Sequence, residues 1–223
     1  MGGRGASSSN MPTITPSGGG SGSGGQGEPM DMNPGVPETL KEALGQQGRP
    51  MSINNAVMNA NPFFDRNYTS EEYNSNCQRA VVATEGRFRG YNVIAQPTYD
   101  GDTMPRGDEW KKSFRDAKTD YIGKSTANAT RKALENKMAE YGDGSRAVMA
   151  FDWKGRNANG HVINVVQRNG KTYYYDGQVG GKYDVNALFN KIRSKSVELV
   201  RVDNLDFGDR AREAVRQNPF KGK

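Results

Sequence analysis

An α+β fold, with one helix packed on an antiparallel β-sheet, is what this 223-residue sequence predicts. Three observations predict it. Residues 160–180, GHVINVVQRNGKTYYYDGQVG, carry two runs of β-branched and aromatic side chains on either side of Asn169-Gly170, the strongest short turn signal. Residues 76–90, NCQRAVVATEGRFRG, place a capping residue, Asn76, ahead of Ala80, Val81 and Thr84 at helical spacing. Beyond these, helical and strand patterns follow one another without a repeat, as in a mixed sheet-and-helix domain.

In chain order, residues 1–48 are rich in Gly, Ser and Pro and bury too little apolar surface to offset their ordering entropy. They are expected to be a disordered tether, with ETLKEAL at 38–44 able to form a turn or two of helix only when docked. Residues 49–204 are expected to form the folded catalytic domain, and 205–223 a C-terminal helix and basic tail. Phe63, Phe64, Tyr68 and Tyr73 supply aromatic bulk just ahead of Cys77, expected to pack its helix, and Thr69 or Ser70 begins a short helix. Residues 91–95 read as a short strand. Arg87 and Arg89, just before it, are assigned to holding the fold rather than to binding an acidic group. Trp110 and Phe114 mark a short amphipathic helix, and Asp100 with Asp102 lack the rest of a calcium loop. A longer helix spans 126–141, stopped by Gly142, and presents Thr130, Leu134, Met138 and Tyr141 on one face. Residues 147–153 read as a buried strand. Asp184 caps a helix whose Val185, Leu188, Phe189 and Ile192 face the core, 197–202 alternates as a closing strand, and Phe207, Ala211 and Val215 recur at helical spacing.

The chain holds one Cys and one His. That composition rules out an internal disulfide and a cysteine/histidine zinc site, so no metal or other cofactor is expected. Cys77 falls at the start of the predicted helix, where unpaired N–H groups and the helix dipole favour a thiolate. His161 opens one hairpin strand and Asp176 closes the next, so folding about Asn169-Gly170 brings them roughly one cross-strand pair apart. A carboxylate there fixes the imidazole tautomer and leaves its other nitrogen free as a base. A lone cysteine is more often a small buried hydrophobe than a nucleophile; here the conjunction with His161 and Asp176 favours the nucleophile.

Asn76-Cys77, RFRGYNV at 87–93 and GHVINVVQRNGKTYYYDGQ at 160–178 resemble the papain-like toxin, or toxin glutamine deamidase, family over about residues 68–204. The resemblance implies a papain-like fold, a triad of Cys77, His161 and Asp176, and hydrolysis of a side-chain amide or related carbonyl bond. It departs from the broader papain pattern in having no aromatic after Cys77 and no glutamine a few residues before it. The oxyanion donors expected in their place are the Cys77 N–H and the Asn76 side-chain amide, with Gln178 a neighbour of the site.

The expected function is a cysteine-dependent amidohydrolase that deamidates glutamine side chains of a protein substrate. The triad alone leaves open a protease or a transglutaminase. A non-catalytic structural or interaction protein of a phage or mobile element is the reading of a different class, favoured by the MGGRGASSS start and by an N-terminal segment suited to binding phage or mobile-element proteins. The net charge of +6 admits an acidic partner, but basic and acidic residues interleave and no nucleic-acid-binding motif occurs, so nucleic acid is not the expected partner. No apolar run is long enough for a membrane span, and residues 1–10 lack the apolar stretch of a signal peptide. The expected location is the bacterial cytoplasm, with delivery to a target cell or packaging in a virion by another route.

Overall fold

The computed structural model describes residues 14–16, 35–65, 71–98, 104, 107–155 and 159–220. Tyr68, Thr69, Ser70, Asp100 and Asp102 lie outside them. The described residues form a seven-stranded sheet in the order β1-β7-β6-β5-β4-β8-β3, comprising β1 (Ile14–Pro16), β3 (Asp120–Tyr121), β4 (Arg146–Asp152), β5 (Gly160–Arg168), β6 (Lys171–Asp176), β7 (Gly181–Tyr183) and β8 (Glu198–Arg201). Every neighbouring pair is antiparallel. At its centre β5 and β6 make the expected hairpin, with Arg168 opposite Lys171 across Asn169-Gly170. Both turn residues have positive φ, 52° and 71°, the geometry that Asn-Gly supplies at least cost.

Alternation along β5 sends its side chains into two cores. Val162 packs with Val148, Val200 and Val202 against Ala80, Val81, Val82 and Ala83 of α4 (Cys77–Phe88). Ile163 and Val165 join Met149 and Leu199 on the other face, covered by Leu134 and Met138 of α5 (Ala127–Tyr141) and by Leu188 and Phe189 of α6 (Val185–Lys191). Thr126 and Asp184 cap these two helices, each side chain accepting an N–H three residues on. The stripe predicted for α4 understates its burial, since residues 78–88 are all buried.

Smaller elements surround α4. The 38–44 stretch does form a helix, α1 (Leu40–Leu44), held by a capping box between Thr39 and Glu42. It packs on β9 (Val215–Gln217), and Ala43 and Leu44 are buried there. α2 (Ile53–Met58) and α3 (Glu71–Asn74) precede the cysteine helix, and β2 (Val93–Ala95) follows it and pairs with β9. Two sequence expectations are corrected. Trp110 lies in, and Phe114 just after, a 3₁₀ helix, Glu109–Ser113, and not an α-helix. Ala211 and Val215 do not share a helix: α7 (Ala211–Ala214) stops there and β-branched Val215 turns into strand β9, where β2 supplies the backbone partners. Phe63 meets the rings of Tyr73 and Phe220 at tilted angles, so it joins the stretch ahead of Cys77 to the C-terminal segment.

A buried carboxylate lies between α4 and the sheet. Glu85, fully inaccessible, accepts from Arg146 Nε and Nη2 at 2.9 and 2.8 Å and from Arg89 Nε at 2.8 Å. Arg89 also donates to the Leu205 and Val202 carbonyls, and Arg87 to the Val93 carbonyl and to Asn55 and Asn92, so both arginines serve the fold. Burial holds the Arg87 guanidinium down at about 10. Glu85→Ala strands two partly buried cations and is expected to lower stability by about 3–5 kcal/mol. Urea denaturation checks this as a lower midpoint at unchanged slope.

Candidate active site

The β5–β6 ladder runs from Arg168↔Lys171 back to Asn164↔Tyr175 and then opens. His161 continues β5 opposite Phe151 of β4, while the chain beyond Asp176 swings over α4. Gly177 is pressed so closely on that helix that a Cβ would lie 2.0 Å from Thr84 Oγ1 and 3.2 Å from the Ala80 carbonyl, which is why no larger residue fits. The hairpin and the helix thereby converge. His161 Nε2 is 2.8 Å from Asp176 Oδ2, and Cys77 lies close enough to the ring to help raise its pKa. Because Asp176 occupies Nε2, the nitrogen left for Cys77 is Nδ1.

Asp176, 1 % exposed, is saturated with donors. Oδ2 takes the His161 ring and the Tyr183 hydroxyl at 2.7 Å, and Oδ1 takes the Gln178 N–H at 2.9 Å. Burial alone raises a carboxyl's pKa, but the His161 charge and these three hydrogen bonds outweigh it and hold Asp176 below the usual carboxylate range. For His161 burial favours the neutral ring, and the attraction of Asp176, then its hydrogen bond and the nearby Cys77, reverse it and raise its pKa. Trp153 stacks on the imidazole at 5.7 Å and Phe151 meets it edge-on at the same distance, so the His161–Asp176 bond is shut off from water.

Cys77, half-buried, and His161 open into a cleft of about 510 Å³, lined also by Gln78, Gln178, Thr98, Asp152, Asn159 and Glu198. Residues 75–181 match the family model described as papain fold toxin 1, glutamine deamidase. That segment of the chain is similar to this family. No curated protein and no solved structure matches the chain. The matched segment begins two residues before Cys77 and ends at Gly181, so it contains Cys77, His161, Asp176 and Gln178. It is a hydrolase family of papain fold, in accord with the mixed helix and antiparallel sheet seen here.

One expected donor is corrected. Asn76 does stand at the cap position of α4, but its side chain makes no cap bond. Its Nδ2 hydrogens go to Asn61 Oδ1 at 3.2 Å and the Gln96 carbonyl at 3.0 Å, and its Oδ1 accepts from Asn61. Burial rewards that reciprocal pairing and leaves no Asn76 hydrogen for an oxyanion. Gln178 lines the cleft as expected, its main chain pinned by Asp176 Oδ1 on one side and Asn61 Nδ2, at 3.0 Å, on the other. Asn61, Trp153 and Tyr183 were not legible as site residues. They act through side-chain hydrogen bonds and a ring contact that leave no spacing signal, and Asn61 and Tyr183 fall outside the family match.

Among the described residues no group of three or more His, Cys, Asp or Glu is placed to hold a metal ion, and no helix is long and apolar enough to cross a membrane.

Proposed function

We propose that this protein is a cysteine-dependent amidohydrolase that deamidates glutamine side chains of a target protein, as a toxin or effector. The observation that carries the reading is the placing of Cys77 and His161 together on one cleft, with His161 hydrogen-bonded to the buried Asp176, within the segment that matches the glutamine deamidase family model. His161 Nδ1 takes the Cys77 thiol proton, and Sγ bonds to the carboxamide carbon as the carbonyl π pair moves to oxygen. Collapse of this intermediate breaks the C–N bond, and His161 returns the proton so that ammonia leaves. Water, deprotonated by His161, then adds to the thioester carbon, and cleavage of C–S releases the carboxylic acid and restores the thiol. Asp176 holds the ring and offsets its charge throughout.

The unpaired N–H groups at the start of α4 favour charge developing on the substrate oxygen. The Cys77 N–H is one donor. The same triad also serves a protease, if the leaving group is a peptide amine, or a transglutaminase, if an amine replaces water. Mass spectrometry of a bacterial proteome treated with wild type or with Cys77→Ala separates these outcomes. Glutamine converted to glutamate only by wild type is the expected result. New peptide termini indicate proteolysis, glutamine–amine adducts indicate transamidation, and identical spectra overturn enzymatic action in favour of a binding role.

A further inference from the structure

Cys77 has a neighbour in the cleft with a hydrogen-bond donor to spare. Gln78 is 8 % exposed and lines the cleft with Cys77 and His161. Its Oε1 accepts the Trp110 N–H at 3.0 Å, which fixes which end of the amide is which. Among the described residues the Gln78 side chain makes no other hydrogen bond, so the Nε2 hydrogens have no protein acceptor. Nε2 is not sealed off from solvent, so these hydrogens are open to a group that enters the cleft. Its place on α4 sets it beside the nucleophile. Gln78 follows the nucleophile in the first turn, and Cα–Cβ bonds tilt toward a helix N-terminus, the end where the Cys77 sulfur lies.

We propose that Gln78 Nε2 is the side-chain oxyanion donor of this site, in the role Asn76 cannot fill. The inference rests on the cysteine-nucleophile reading above. When Sγ bonds to a carbonyl carbon and the π electrons move to oxygen, that oxygen acquires full negative charge. A donor whose amide is already held in place stabilises it with little reorganisation. Trp110 is the positioning partner: its N–H holds the amide oxygen so that only N–H groups face the cleft.

The test uses two reagents for Cys77. p-Nitrophenyl acetate acylates sulfur through a carbonyl oxyanion, whereas iodoacetamide alkylates it by displacing iodide, with no oxyanion formed. Neither depends on the natural substrate, so a failed deamidase reading would show in the proteome experiment and not here. Gln78→Met keeps the length of the side chain and removes the donor. It is expected to slow the p-nitrophenol burst roughly 10- to 100-fold. Alkylation should stay within about twofold of wild type, since the thiol and its base are untouched. Gln78→Glu keeps an acceptor for the Trp110 N–H and guards against a packing artefact; its burst should fall at least as far, with an unchanged melting temperature. Gln178→Met, removing the other amide in the cleft, is expected to slow the burst less than Gln78→Met does. A burst preserved in Gln78→Met, a parallel fall of acylation and alkylation in that variant, or a larger loss in Gln178→Met would each overturn the assignment.

Discussion

Turnover is expected to fall by about 10⁴-fold or more in Cys77→Ala, by a similar factor in His161→Ala, and scarcely further in the double variant. The reason is that the two side chains act as one unit. The sulfur needs a base to take its proton, and the base has no other task than to move that proton to the leaving amine and to recover one from water. Once either is gone, the other contributes nothing to the step. Residual rate comes from the cleft and the oxyanion donors alone. Ammonia release by the four proteins at one pH checks this. Losses that multiply in the double variant would mean that Cys77 and His161 do not act on the same bond. Alkylation gives a second check, because His161→Ala should slow reaction of Cys77 with iodoacetamide while leaving the sulfur in place. The fold should tolerate Cys77→Ala well: the side chain is half-buried and packs only at the margin of the core between α4 and the sheet.

How much of this was legible in the sequence depends on how local each signal is. The hairpin was legible because Asn169-Gly170 encodes its own turn, and the turn fixes the register that sets Asp176 diagonally across from His161. The long helix and the Asp184-capped helix were legible because cap, stripe and stop lie within one segment. The two-residue strand β3 was not, since it exists only because β8 offers it backbone partners. β9 was misread for the same reason: Ala211 and Val215 have the spacing of a helix face, but β2 lies alongside and outcompetes it. Within the site, Cys77, His161 and Asp176 stood out by rarity and by the turn. The groups that position them did not. The Asn61–Asn76 pair joins residues fifteen apart through their amides, and the Trp110 N–H that fixes Gln78 is a backbone group that every sequence contains. Asn76 shows the cost of local reading, because a good capping residue was claimed by a buried long-range partner.

Asp176→Asn is expected to lower turnover by about 10³–10⁴-fold with little change in fold. Asp176 receives three donors, from His161, Tyr183 and the Gln178 N–H. An asparagine has one acceptor oxygen to offer and an NH₂ group that must face something. Turned so that its oxygen keeps the Gln178 N–H, it donates to Tyr183 Oη, whose proton can rotate away, and to His161 Nε2. Every group is then satisfied, but the ring is forced into the tautomer with its proton on Nδ1, where it cannot accept a proton from Cys77. Stability should carry a matching signature. His161 has its pKa raised in the folded protein above the ordinary 6.5, so its contribution is complete below about 6.5 and is lost as pH rises through the folded value. Asp176 has its pKa depressed below 3.8, so its contribution is complete above about 3.8 and is lost as pH falls through the folded value. The stability advantage of wild type over Asp176→Asn should therefore be greatest between these limits and shrink on both sides. Urea denaturation of both proteins across pH measures it. A difference independent of pH would show that the buried pair is neutral in the folded protein, and with it the charge that Asp176 is held to offset would disappear.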